Sequence, residues 1–187
     1  MRQTICLLVL SLSLSVAAAA QEEAKHGDYA GEERREIKSL SAEEVKELLN
    51  GHGMGLAKAA ELNHYPGPRH VLELATELQL TPEQRTQAQA TFDRMHGEAV
   101  RLGRQIVERE RALDAMFAAG EIDAGKLNAA TAGIARLRGD LRAAHLAAHL
   151  EMRRLLSPHQ IAKYDELRGY AAGQKTGGQH GHGHGKH

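Results

Sequence analysis

The sequence predicts an all-α protein: a long antiparallel helical hairpin with short flanking helices, whose apolar stripe a second copy is expected to help cover. Three observations carry that prediction. Ala, Leu, Glu and Arg dominate, aromatics are 3% and there is no Trp, a mixture of strong helix formers. Two matching helix-start signals stand at Leu80-Thr81-Pro82-Glu83-Gln84 and Leu156-Ser157-Pro158-His159-Gln160. Between them, apolar residues recur at steps of three and four, the period of one helix face.

The chain has 187 residues, with 24 Lys+Arg against 24 Asp+Glu. That length suits one domain with tails. The balanced charge gives no general reason to expect a nucleic-acid partner. The single cysteine is Cys6, so disulfide frameworks, thiolate zinc sites and a cysteine nucleophile are excluded for the rest of the chain. No phosphate loop or nucleophile elbow is present, and the sequence reads as a binding protein, not an enzyme.

Residues 1–20 read as a cleavable signal peptide. Arg2 precedes a serine-diluted apolar run from Ile5 to Val16, and Ala18-Ala19-Ala20 offers a small-residue cleavage site. The run is short for a bilayer span, which needs about 20 residues. A periplasmic location follows from that reading. Residues 21–40 are polar and mixed in charge, and are expected to be a flexible leader.

The helical domain is expected over 41–170. Ser41 and Glu44 form a capping box for a short helix with Val45, Leu48 and Leu49 on its apolar side, and Asn50-Gly51 stops it. Gly51-His52-Gly53-Met54-Gly55 reads as a hinge. A short helix follows over 56–62, then a turn through Asn63 to Pro68. An amphipathic helix carries Val71, Leu72, Leu74, Ala75 and Leu78. In each later box the hydroxyl accepts an orphan N–H, Pro has no N–H to lose, and Gln reaches back to the cap.

The first long helix runs from Pro82 to about Ala119, about 56 Å at 1.5 Å per residue. Its stripe is Phe92, Met95, Ala99, Leu102, Ile106, Leu113 and Met116. Gly120 ends it and Asp123 caps the second, which runs to about Leu155 with Leu127, Ala130, Ile134, Leu137, Leu141, Ala144, Ala148 and Met152 as its stripe. The short connection makes the pair antiparallel. A last helix is expected from Pro158 to about Tyr170. Residues 171–187 form a His/Gly-rich tail expected to be disordered.

The boxes, with the long helical pattern between them and the signal peptide before them, resemble the Spy/CpxP family, which is named for an LTxxQ motif. The motif residues here are Leu80, Thr81, Pro82 and Gln84, then Leu156, Ser157, Pro158 and Gln160. The resemblance covers about 45–170, and residues 149–168 also resemble ZraP/CnrX-like metal-responsive relatives. It implies a curved, all-helical homodimer that binds unfolded or misfolded envelope proteins without ATP. For the metal-responsive branch it implies signalling to a membrane stress or metal sensor. That branch carries a His-x3-His pair early in its first helix; here only His70 falls near that region.

Twelve histidines point to metal. His145, His149 and Met152 share one helical face by their spacing of four and three. A hairpin turn near residue 121 or 122 sets Met95 opposite Ala148 and His96 opposite Ala147. Met95 and His96 then arrive at the level of His145 and His149. Imidazole and thioether together suit copper, nickel, cobalt or zinc, although no cofactor is required by this reading. The same residues also read as packing: Met95 and Met152 fit the apolar stripes, His145 borders one, and His149 could be solvated. His180, His182, His184 and His187 alternate with glycine and form a second candidate. His52, Met54, His64 and His70 could extend either set. The second long helix is basic, with Lys126, Arg136, Arg138, Arg142, Arg153 and Arg154 against Asp140 and Glu151. Arg136, Arg138 and Arg142 are the expected client-binding residues.

Overall fold

A computed structural model describes residues 27–171. The expected signal peptide, Cys6 and the histidines of the tail lie outside the described residues. The chain divides after Glu33. Before that point, Ala30 N–H donates to Gly27 O at 2.9 Å, closing a turn.

From Arg34 onward the described residues form six α-helices: α1 Ala42–Leu49, α2 Lys58–Glu61, α3 Pro68–Glu73, α4 Pro82–Ala118, α5 Ala124–Leu155 and α6 Pro158–Leu167. No strand occurs among the described residues. The fold class is therefore all-α, built on the α4–α5 hairpin. All three expected capping boxes form, at Ser41/Glu44, Thr81/Gln84 and Ser157/Gln160. Gly120 adopts φ 67° beyond the end of α4, a left-handed conformation that glycine reaches without a Cβ clash. Asp123 then accepts from Lys126 N–H at 2.8 Å and starts α5.

The two box glutamines also bind each other, 76 residues apart in sequence. Each donates its amide N–H to the other's Oε1 at 2.9 Å. Gln84 donates further to Leu155 O and Gln160 to Leu78 O, both at 3.1 Å. The motif thus starts two helices and also ties the start of α4 to the start of α6.

Two apolar clusters form. One gathers Ile37, Leu40, Leu48, Ala99, Leu102, Ile106, Val107 and Leu141. The other gathers Val71, Leu78, Ala88, Met152, Leu156, Ile161 and Tyr164. The register follows the expected one: Thr91 on α4 donates to Glu151 on α5 at 2.8 Å, and Arg94 pairs with the same carboxylate. α1 crosses α4 at Gly103, where a Cβ would stand 1.9 Å from Leu48 O. Only glycine permits that approach.

Part of the expected leader belongs to the folded body. Ile37 and Leu40 are core residues of the first cluster. Lys38 pairs with Asp114 at 3.0 Å and Ser39 donates to Glu110 at 2.9 Å. Two apolar residues among many charges gave little periodic signal. Burial is decided by the α4 surface they meet. The last helix ends at Leu167, before the expected Tyr170.

Candidate metal cavity

Between the two apolar clusters, both long helices change chemistry. On α5, Leu141 belongs to the first cluster and Met152 to the second. His145 and His149 lie between them, 6% and 8% exposed. On α4, Phe92, Met95 and His96 occupy the same interval between Ala88 and Ala99. These residues line a cavity of about 720 Å³ together with His52 and Met54 of the glycine loop and His70 of α3. The expectation that Met95 and His96 meet His145 and His149 is thus met at the level of the cavity wall.

The imidazole tautomers follow from their partners. His149 Nδ1 lies 2.7 Å from Tyr65 O. A carbonyl only accepts, so Nδ1 carries the proton and Nε2 keeps its lone pair. Gly67 faces that nitrogen: a Cβ there would stand 3.1 Å from His149 Nε2 and 3.4 Å from Glu61 Oε2. Glycine therefore leaves an imidazole nitrogen and a carboxylate oxygen open to one hollow. His96 Nε2 donates to Asn50 O at 3.0 Å, which leaves Nδ1 as its free acceptor, and its ring stacks on Phe92 at 5.5 Å. His145 Nε2 is buried without a hydrogen-bond partner. Burial lowers the His145 pKa first, and the neighbouring His149 and His96 lower it further. His145 is therefore held neutral, the state in which imidazole ligates a metal. Burial likewise lowers the pKa of His70.

Glu61 was not singled out in the sequence, yet it organises one wall. Tyr164 and Tyr170 donate to its Oε1, the latter at 3.1 Å, and Arg168 approaches the same oxygen at 3.6 Å. Burial, then the bond to Glu61, raises the Tyr164 pKa well above its ordinary value. α2, which carries Glu61, has four residues, too few to show a periodic face. Its partners lie more than a hundred residues downstream.

Other candidates are placed elsewhere. Met152 is 1% exposed within the second apolar cluster and does not line the cavity. Its stripe position decides its fate, because the face that meets α3 and α6 is dry. His64 pairs with Asp165 at 2.7 Å, outside the cavity lining. Arg138 is held by Glu110 at 2.8 Å, so its charge serves a buried carboxylate. Arg136 lies 4.0 Å from Asp140, and Arg142 is exposed. Arg136 and Arg138 are about 200° apart around α5 and do not form one patch.

The donor set fits a soft or borderline ion: imidazoles, two of them with one ring nitrogen bonded to a backbone carbonyl, thioethers and one carboxylate. Among the described residues, no three His, Cys, Asp or Glu groups are already gathered closely enough to hold an ion. The family described as heavy-metal resistance matches residues 48–163, more than half of the chain. The matched span includes both glutamine boxes and every cavity histidine. No curated protein and no solved structure matches the chain.

Proposed function

The chain belongs to the heavy-metal resistance family of Spy/CpxP/ZraP type, and from that premise we propose that it is a periplasmic metal-binding protein. Its ligand is a copper, nickel, cobalt or zinc ion taken into the cavity between the two apolar clusters. One observation carries the reading. Three imidazoles on α4 and α5 line one cavity with Met95, and two of them have their second nitrogen fixed by a backbone carbonyl. Such outer bonds orient a ligand and raise its basicity. The apolar clusters on either side limit how far the walls can yield. The reading is one of binding, not catalysis. Export rests on the signal-peptide pattern of residues 1–20. No helix among the described residues is long and apolar enough to cross a membrane.

The test is calorimetric titration of each of the four ions into the full chain and into a His145→Ala/His149→Ala variant. Tight binding of at least one ion, weakened tenfold or more in the variant, is the expected result. An unchanged dissociation constant in a variant that keeps its helical circular dichroism overturns the reading.

A second reading is favoured by the hairpin end remote from the cavity. Phe117 is 56% exposed there, and Leu127 is also exposed. Exposed apolar groups at that end, with the exposed cations Arg136 and Arg142 further along α5, suit the holding of unfolded acidic chains without ATP. Suppression of client aggregation should then fall on Phe117→Ser and on Arg136→Glu/Arg142→Glu. Full protection by both variants removes this reading. Homodimer formation, or passage of metal occupancy to a membrane sensor, would sit on top of either activity.

A further inference from the structure

We propose that the cavity selects copper(I), and that Met54 and Met95 are the residues that decide the metal. This rests on the cavity reading above and deepens it: that reading leaves four metals open, and the sulfur donors choose among them.

The loop that carries Met54 is the first observation. Leu56 N–H donates to Gly53 O at 2.7 Å, closing a tight turn with Met54 and Gly55 at its centre. Both central residues have positive φ, 46° and 74°. That is the pattern of a type I′ turn, whose first central position favours Asn, Asp or Gly. Methionine there works against the local backbone preference. Packing does not compensate: Met54 is 37% exposed and belongs to neither apolar cluster. A residue held against its local preference, and without burial, points to a use for its side chain.

The path of that loop is the second observation. A Cβ on Gly51 would stand 3.2 Å from His96 O, and one on Gly53 would stand 3.9 Å from His145 Nδ1. The loop therefore starts against the α4 residue that follows Met95, and it touches the His145 ring one residue before Met54. Met54 and Met95 line the same cavity as His145. His145 Nε2 is buried there without a hydrogen-bond partner.

The remaining donors weigh against the harder ions. Glu61 is the carboxylate of the cavity wall. Its Oε1 already accepts from Tyr164 and Tyr170 and faces Arg168 at 3.6 Å, so its charge is largely answered within the protein. Nickel(II), cobalt(II) and zinc(II) carry two charges and draw on several nitrogen, oxygen or thiolate donors. Among the described residues, no three His, Cys, Asp or Glu groups are gathered closely enough to supply such a set. Copper(I) has one charge and a filled d shell, and few donors satisfy it. It is also soft, so a thioether is a good ligand for it. Two thioethers and the free nitrogen of His145 meet that need without a charged ligand.

The experiment uses full-length chains that all carry Cys6→Ser, which removes the single cysteine and leaves thioethers as the only sulfur. They are the otherwise unaltered chain, Met54→Leu/Met95→Leu, and His145→Ala/His149→Ala. Leucine keeps the apolar volume and removes the sulfur. Copper(I) affinity is read without oxygen, in ascorbate, by competition with bathocuproine disulfonate; zinc(II) and nickel(II) affinities are read by calorimetry. Copper(I) should bind tightest to the unaltered chain. It should weaken at least about tenfold in the methionine variant, the low end of losses at metal sites, while zinc(II) and nickel(II) stay within about twofold. A methionine variant that keeps copper(I) within about twofold, beside a histidine variant that loses it, overturns the sulfur selection and leaves the cavity reading standing. So does an equal loss of all three ions in the methionine variant. A histidine variant that binds every ion normally overturns both. X-ray absorption at the copper edge answers without any change to the cavity: sulfur is expected in the first shell of copper(I), and a shell of nitrogen and oxygen alone sinks the proposal.

Discussion

Gln84 and Gln160 donate to each other, both at 2.9 Å, across 76 residues of sequence. Each Oε1 also accepts its own cap N–H, from Thr81 at 3.1 Å and from Ser157 at 2.9 Å. The cap bond fixes which end of each amide is oxygen. The two NH₂ groups must then face each other's oxygen and the carbonyls of Leu155 and Leu78. Removing either glutamine strands acceptors on both sides. Gln84→Ala or Gln160→Ala should each cost about 2–3 kcal/mol, combining a lost cap with unmade part-buried hydrogen bonds. A double-mutant cycle by urea unfolding should show about 1 kcal/mol of coupling. Strict additivity would mean that the two boxes act as separate caps.

Gly103 and Gly97 give opposite expectations on the same helix. A Cβ at Gly103 would collide with Leu48 O, whereas nothing lies within 4 Å at Gly97. Gly103→Ala should destabilise by about 2–3 kcal/mol, because a packed contact must open. Gly97→Ala should stabilise by up to about 1 kcal/mol through helix propensity. Thermal unfolding reads both, and amide exchange should show α1 losing protection only in Gly103→Ala. Equal effects at the two positions would refute the close α1–α4 contact.

Glu61 binds two tyrosines and an arginine that follow it in sequence. Glu61→Gln keeps the shape but removes the charge that these donors and Arg168 face. A loss of about 1.5–3 kcal/mol is expected, the range for hydrogen bonds to charged groups. Exchange protection should drop first in α6. An unaltered urea midpoint would mean that the carboxylate does not hold that end together.

The folded-state pKa of His145 is lowered, chiefly by burial and then by His149 and His96. Its proton is therefore held more tightly in the unfolded chain. Stability from the neutral ring is full above about pH 6.5 and is lost as pH falls below that value toward the native pKa. Urea midpoints measured at pH 7.5 and 5.5 should differ, with the lower value at pH 5.5. His145→Gln should narrow the gap. An unchanged gap assigns the acid sensitivity to other groups.

The hairpin, its register and its three capping boxes are legible in the sequence because their causes are local. A 3.6-residue period and a Ser/Thr cap act within a few residues, and a short turn fixes which positions face each other. Helix period and turn position therefore suffice to set Met95 and His96 beside His145 and His149. Met95 and Met152 show where local causes stop. Both fit a stripe, yet Met95 lines the cavity while Met152 is sealed in the second cluster.

By itself the sequence determined the all-α class, the two long helices and their antiparallel order. Tertiary structure alone decided which stripe positions stay dry, because that depends on where α1–α3 and α6 lie across the hairpin. It also decided that Ile37 and Leu40 are core, that Arg138 answers Glu110, and that Glu61 gathers Tyr164 and Tyr170. Those contacts join segments tens to a hundred residues apart. No local period records them, and packing chooses among partners that the sequence leaves equivalent.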